Sequence, residues 1–362
     1  MPGTVSYPML SGPAHIAGLD LRNRVVMPPM ASAMEVGSPQ FESWYEARAE
    51  GGVGLIIMEA LWIERLADPD YASRLTGAVE RIHRHGIPVV LQLFQPSRDA
   101  GGNPVAPSAT PQARAANENE LAAMPDTFAQ AAARCQAAGF DGVEPHGAHG
   151  FFLNQMFSAQ QNRRTDRYGG SLENRMRLGI EIASAIRSEV GESYPIFWRH
   201  TMQQAEGYSV DNSIDFLGAL LQAGVNVLDI SPSTTDRPPQ SRHIAADGSV
   251  GPAEGCELAD PIHCNLAALA RNALGAPVIA VGGMEDPARA EAALASGKCD
   301  LCAVGRQLIA DSDWPRKVFE GRESEIIACT KCDAMCFGNL RKGIPIGCTQ
   351  NPRSGREYLQ QC

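Results

Sequence analysis

Hydrophobic and polar positions recur along this chain in one order. A stretch with helical character runs into a small residue and Gly, and then into a short apolar run. The order appears in ARAEGGVGLIIME (47–59), RCQAAGFDGVEPH (134–146), LLQAGVNVLDIS (220–231) and AALASGKCDLCAVG (292–305). A related form ends the helix just before Pro: RIHRHGIPVVLQLF (81–94), EVGESYPIFWRH (189–200) and ARNALGAPVIAVGG (270–283). Gly supplies the left-handed cap of a helix, and a strand buried on both faces reads as a short Val/Ile/Leu run.

With RVVMPPM (24–30) added, the pattern predicts eight strands, near residues 24–28, 55–59, 88–94, 142–146, 195–199, 226–231, 277–281 and 301–305. Eight strand–helix units in succession predict an α/β fold, a (β/α)8 TIM barrel. The boundaries read as a barrel over residues 1–320 and a cysteine-rich C-terminal segment over 321–362. A doubly wound dinucleotide fold would need G-x-G-x-x-G between a strand and a helix. Gly51-Gly52-Val53-Gly54 instead lies between a helix and the strand that follows it.

A barrel carries its chemistry at the C-terminal ends of its strands. Gly282-Gly283 and Gly305-Arg306 close the seventh and eighth strands, where barrel phosphate sites are commonly built. Glycines let backbone N–H groups approach phosphate oxygens, and Arg306 adds charge. Gln92 and Arg199 end apolar strands, and an amide with a guanidinium suits the pyrimidine edge of a flavin. His146 and His149 follow the fourth strand, and two imidazoles there suit a substrate carbonyl oxygen. The pair could also bind metal, but His-x2-His without a third ligand is a weak metal pattern.

Composition narrows the class. Among 362 residues, 44% are apolar and the net charge is -10, which argues against nucleic acid or an anionic membrane as partner. The N-terminus has no signal-peptide pattern and no apolar run is long enough to span a bilayer, so the expectation is a cytoplasmic protein. The lysines are Lys298, Lys317, Lys331 and Lys342. None stands at a strand end, which excludes an imine-forming aldolase.

Ten cysteines in such a chain suggest ligands or buried thiols rather than disulfides. Cys329, Cys332, Cys336 and Cys348 are spaced C-x2-C-x3-C-x11-C, and the other six are scattered. Structural zinc favours two close Cys pairs or Cys/His mixtures, whereas a split of three plus one with no nearby His favours an iron–sulfur cluster.

The stretch GFDGVEPHGAHGFFLNQMFSAQQNRRTDRYGGSLENRMR (139–177) resembles the Old Yellow Enzyme superfamily of flavin oxidoreductases. APSA (106–109), the first-strand PPM and VGRQLIAD (304–311) match as well. The cysteine spacing resembles the branch with 2,4-dienoyl-CoA reductase and trimethylamine dehydrogenase, which implies FMN in the barrel and a 4Fe–4S cluster on the four cysteines. The resemblance implies FMN contacts at Pro29, Met30, Ala60, Gln92, Arg199, Gly282, Gly283, Gly305 and Arg306. It implies that His146 and His149 bind the substrate.

Three departures stand out. The position of the family's usual Tyr acid is Phe151, which has no proton to give. The first-strand position that often carries Thr or Cys is Ala31. The chain stops soon after the fourth cysteine, where multidomain members continue into a nucleotide-binding module.

The leading expectation is an FMN- and 4Fe–4S-dependent oxidoreductase that moves hydride at flavin N5 and reduces an α,β-unsaturated carbonyl compound of enoate or dienoyl type. Water or His243, in the loop after the sixth strand, would replace the missing acid. The second expectation is a dehydrogenase or demethylase of a small amine that passes electrons through the cluster to a separate carrier protein. The third is a non-catalytic binding barrel with a zinc-stapled tail. Candidate partners are a small-molecule substrate, an electron-transfer protein or reductase, NAD(P)H, and further copies of the chain.

Overall fold

Each short apolar run forms a strand because its side chains are covered on both faces, as a parallel sheet between helices requires. The computed structural model of the chain describes residues 7–99, 101–232 and 261–360. Eight parallel strands form a closed barrel: Val25–Met27, Leu55–Trp62, Val89–Phe94, Gly142–Gly147, Phe197–His200, Val227–Ile230, Val278–Val281 and Leu301–Ala303. They follow one another in chain order, and Cys302 of the eighth pairs with Val25 of the first to close the ring. The second strand runs past its expected end to Trp62, through a register shift between Met58 and Leu61.

The long outer helices begin at polar caps. Asn117 and Glu120 form a capping box for Glu118–Ala137. Ser171 caps Leu172–Val190, and Ser209 with Asn212 opens Val210–Gln222. Each cap satisfies backbone N–H groups that the helix leaves unbonded, contributing about 1 kcal/mol.

The barrel interior changes character along its axis. Its lower half is apolar, with Val26, Leu55, Ile57, Val90, Phe197, Val227, Ile279, Leu301 and Ala303 packed together. A hairpin of Ala14–Ile16 and Leu19–Leu21 adds Ile16 and Leu21 to this cluster and stoppers the N-terminal end. Towards the C-terminal end the buried residues turn polar: Gln92, Glu144, His146, Arg199, Asp229 and Ser231. Polar groups there need partners that the apolar floor cannot supply.

Residues 321–360 hold little regular structure and fold back onto the barrel. Gln307 clamps the start of the segment, donating to Ile327 O and accepting from Cys329 N, both at 2.9 Å. Ile346 is buried and its N–H donates to Ser32 O at 2.8 Å. Arg48, buried in the helix Pro39–Glu50, pairs with Glu357 at 2.6 Å. No helix among the described residues is long and apolar enough to cross a membrane.

Candidate active site

Strand register brings the sequence candidates together at the C-terminal mouth. Gln92 lies level with Glu144, and His146, Arg199 and Asp229 lie level on three consecutive strands. His146 and His149 meet, with His149 Nδ1 and His146 Nε2 3.1 Å apart. The contact depends on the backbone. His149 adopts a left-handed conformation (φ 62°), which turns the chain sharply after the fourth strand.

Ser231 ties this pair to Arg199. Arg199 Nη2 donates to Ser231 Oγ at 3.1 Å, and Ser231 Oγ lies 2.7 Å from His149 Nε2. Arginine can only donate, so the serine hydroxyl accepts from it and passes its own hydrogen to His149 Nε2. That leaves His149 Nδ1–H to face His146 Nε2. His146 stays uncharged, its pKa lowered to about 3 by burial and then by the Arg199 charge. The arrangement is a chain of donors that ends between two imidazole rings.

Phe151 closes the top. Its ring stands edge-on to Phe94 at 4.8 Å and to His146 at 5.2 Å, and 40% of its surface is exposed. Pro29, Met30, Ala60, Gly282 and Gly305 lie half-buried around the same rim, with Gly283 buried beside them. Gly282 and Gly283 both have positive φ, 111° and 72°, which opens the backbone after the seventh strand in a way other residues resist. Arg306 follows the eighth strand and pairs with Asp333 of the C-terminal segment at 3.0 Å. His243 lies outside the described residues.

The four motif cysteines line one cleft, and Arg306 lines it too. Lys331 and Asp333 are left-handed (φ 56° and 52°) and bracket Cys332, curling the loop so that the thiols share the cleft. Backbone N–H groups of Lys331 and Gln350 point to Cys329 Sγ and Cys348 Sγ at 3.4 Å. Burial raises the Cys329 and Cys336 thiol pKa values, and both thiols feel their cysteine neighbours. Among the described residues, no three His, Cys, Asp or Glu side chains are set as ligands of a single metal ion. A cubane holds its thiolates farther apart than one ion at ~2.3 Å from each sulfur would.

The scattered cysteines are not all isolated. Cys299 Sγ and Cys302 Sγ lie 3.8 Å apart in the core, with Cys264 beside Cys299. Sequence reading also passed over Ser231, Glu144 and Asp229 as site residues. The signal available was a charge inside each apolar strand, in GVEPH and VLDIS.

A parallel eight-stranded barrel with a polar C-terminal mouth and a cysteine cleft at its side has the architecture of a flavin-dependent oxidoreductase. The sequence model of the NADH:flavin oxidoreductase / NADH oxidase family matches residues 10–325. The chain belongs to that family, within the Old Yellow Enzyme superfamily. It is 36% identical to the NADH oxidase of Thermoanaerobacter brockii over 381 aligned positions, covering 97% of this chain and 57% of that protein. The structure of 2-naphthoyl-CoA reductase with 2-naphthoyl-CoA superposes with a TM-score of 0.85 at 27% identity, covering 97% of this chain and 58% of that one. Histamine dehydrogenase from Rhizobium sp. 4-9 superposes with a TM-score of 0.82 at 25% identity, covering 97% and 53%. The chain therefore spans a little over half the length of these three proteins.

Proposed function

We propose that this chain is the FMN-binding barrel of an oxidoreductase that reduces an α,β-unsaturated carbonyl compound and carries a 4Fe–4S cluster on Cys329, Cys332, Cys336 and Cys348. The observation that carries the reading is the donor chain Arg199–Ser231–His149–His146 at the barrel mouth. The reading is supported by the family and by the likeness to 2-naphthoyl-CoA reductase.

FMN would be held by Pro29, Met30, Ala60, Gln92, Arg199, Gly282, Gly283, Gly305 and Arg306. Two observations fit it. Arg199 Nε is buried without a hydrogen bond, and the Asp229 carboxylate it pairs with stands 3.5 Å away, so the buried guanidinium keeps donor capacity. The positive φ angles of Gly282 and Gly283 turn the backbone after the seventh strand, where barrel phosphate sites are commonly built. When bound, FMN would exchange hydride at N5, and the cluster would move single electrons.

The protein's own residues set the rest. His149 Nδ1–H faces a neutral ring, so a carbonyl oxygen entering between the two histidines takes over that hydrogen. A neutral His146 would donate to the same oxygen once its own hydrogen sits on Nε2. Negative charge developing on the oxygen is stabilised through Ser231 by Arg199. Phe151 and Phe94 cover the pair and exclude water from one side. Phe151 supplies no proton, so the proton for the substrate carbon comes from water or from a residue such as His243.

The second reading is a small-amine dehydrogenase or demethylase, favoured by the same Phe151: amine oxidation needs no carbon-protonating acid. The aromatic edges of Phe94 and Phe151 would then frame the amine. Its electrons would leave through the cluster to a separate protein carrier, or NAD(P)H would serve the reverse direction. A zinc-stapled binding barrel is the least supported reading, since it leaves the donor chain without a role.

Anaerobic spectroscopy tests these together. The enone reading expects a yellow, iron-containing protein that, once reduced and bleached, is reoxidised by an enone, with His146→Ala and His149→Ala slowing that step about 10²–10³-fold. Bleaching by a small amine, with no reoxidation by enones, would favour the second reading. A colourless protein with zinc and no iron would favour the third.

A further inference from the structure

Two carboxyl groups lie inside the barrel beneath the mouth, and the chemistry above uses neither. Glu144 is on the fourth strand and Asp229 on the sixth, and both are fully buried. Arg199 stands between them on the fifth strand, level with Asp229. Gln92 Nε2 donates to Glu144 Oε1 at 2.7 Å. Arg199 Nε lies 3.5 Å from Asp229 Oδ2, an ion pair too long for a good hydrogen bond.

The remaining oxygens do not balance. Glu144 Oε2 and both Asp229 oxygens are buried and receive no donor. The two carboxyl groups nevertheless stand within hydrogen-bonding reach of each other. Acceptor oxygens that face each other without a donor are satisfied by one proton between them. Two carboxylates in contact, out of water, cannot both ionise cheaply, and a single guanidinium offsets only one of them.

We propose that Glu144 and Asp229 share one proton at neutral pH, with Glu144 as the acid and Asp229 as the anion, and that this unit fixes the charge felt at Arg199. The assignment follows the contacts. Asp229 is the carboxyl beside the guanidinium. Glu144 Oε1 already accepts from Gln92, which leaves Oε2 to carry the hydrogen towards Asp229. Burial raises both carboxyl pKa values; the Asp229 charge raises Glu144 further, whereas Arg199 draws Asp229 down. The other titratable group around Arg199, His146, is neutral. The unit of Glu144, Asp229 and Arg199 is then neutral overall.

Both carboxyls are positioning residues, acting through Arg199. Their influence on the cofactor rests on the FMN reading above; the shared proton does not. Glu144→Gln keeps an acceptor for Gln92 and a donor for Asp229, so it copies the acid form. Asp229→Asn removes the anion that offsets Arg199.

The test has two arms. Infrared spectra of the full chain without FMN, at neutral pH in H2O and D2O, are expected to show a buried carboxylic-acid C=O band that is lost in Glu144→Gln. No such band, or a band that survives in Glu144→Gln, would overturn the proposal. With FMN bound, the flavin potential of Glu144→Gln is expected to match the wild type, and that of Asp229→Asn to move to more positive values. If Glu144→Gln moved the potential as far as Asp229→Asn does, both groups would have been ionised and the proposal would fail. Failure of the chain to bind FMN would sink the cofactor reading and leave the infrared arm intact.

Discussion

The Phe151 ring stands edge-on to His146, with centroids 5.2 Å apart and planes at 81°. A para hydroxyl on that ring would therefore project from the roof of the histidine pair. Phe151→Tyr is expected to supply the missing acid and to raise the rate of enone reduction by about tenfold or more, since a positioned acid contributes ~10²–10⁴. Stopped-flow reoxidation of the reduced protein measures it. An unchanged rate with an enone, over the whole pH range, would show that proton delivery does not limit the reaction.

Cys336→Ala removes one of four thiols from the cleft, and Cys336 is not itself a proposed FMN contact. The expected product keeps FMN, loses iron and acid-labile sulfide, and no longer exchanges electrons with a protein carrier. Metal analysis and the visible spectrum check it. A variant that retained both iron and carrier exchange would remove the relay from the account.

His200 is wholly buried, 2.8 Å from Ser213 Oγ, and its pKa is lowered to about 3 by burial. The unfolded chain titrates near its ordinary ~6.5. The folded state thus favours the neutral ring: the contribution is full above about pH 6.5 and lost progressively as pH falls towards 3. His146 has the same sign. Each ring should cost about 1.4 kcal/mol of stability per pH unit in that window. Denaturation midpoints measured from pH 7 to pH 5 should fall less steeply in His200→Gln than in the wild type. Equal slopes would mean that His200 does not titrate against folding.

Gly355 has φ 78°, and a Cβ there would lie 2.0 Å from Ile346 O. Gly355→Ala is expected to cost more than the ~1 kcal/mol of the backbone conformation alone and to push Ile346 off Ser32. Since Cys348 is two residues from Ile346, thermal denaturation should shift down by a few °C and iron should be retained less well. Wild-type iron content in the variant would show that the cleft tolerates movement of this turn.

The barrel was legible because its strands announce themselves. Runs such as VVLQLF and PVIAV are buried on both faces, and glycine ends the helices before them, so eight local patterns add to one ring. His146, His149, Gln92 and Arg199 were legible for a related reason: each is polar at the end of an apolar strand. Asp229 and Glu144 carried the same mark one step earlier in their strands, yet nothing local tells a buried charge from a rim charge. Arg306 illustrates the converse. Its place after the eighth strand suggested a phosphate contact; its pairing with Asp333 could not be read locally, because it depends on a segment that returns from 27 residues further along the chain.

The sequence by itself determined the architecture, the family and the four-cysteine motif, because each is written in short-range periodicity and spacing. Only the tertiary structure decided which polar residues meet. Ser231 joins Arg199 to His149 across separate strands, and Glu144 reaches Asp229 past the strand that carries Arg199. Those contacts follow from strand register and barrel closure, which bring side chains from different parts of the chain to one height in the mouth. In a space without water, who meets whom fixes where the protons and charges lie.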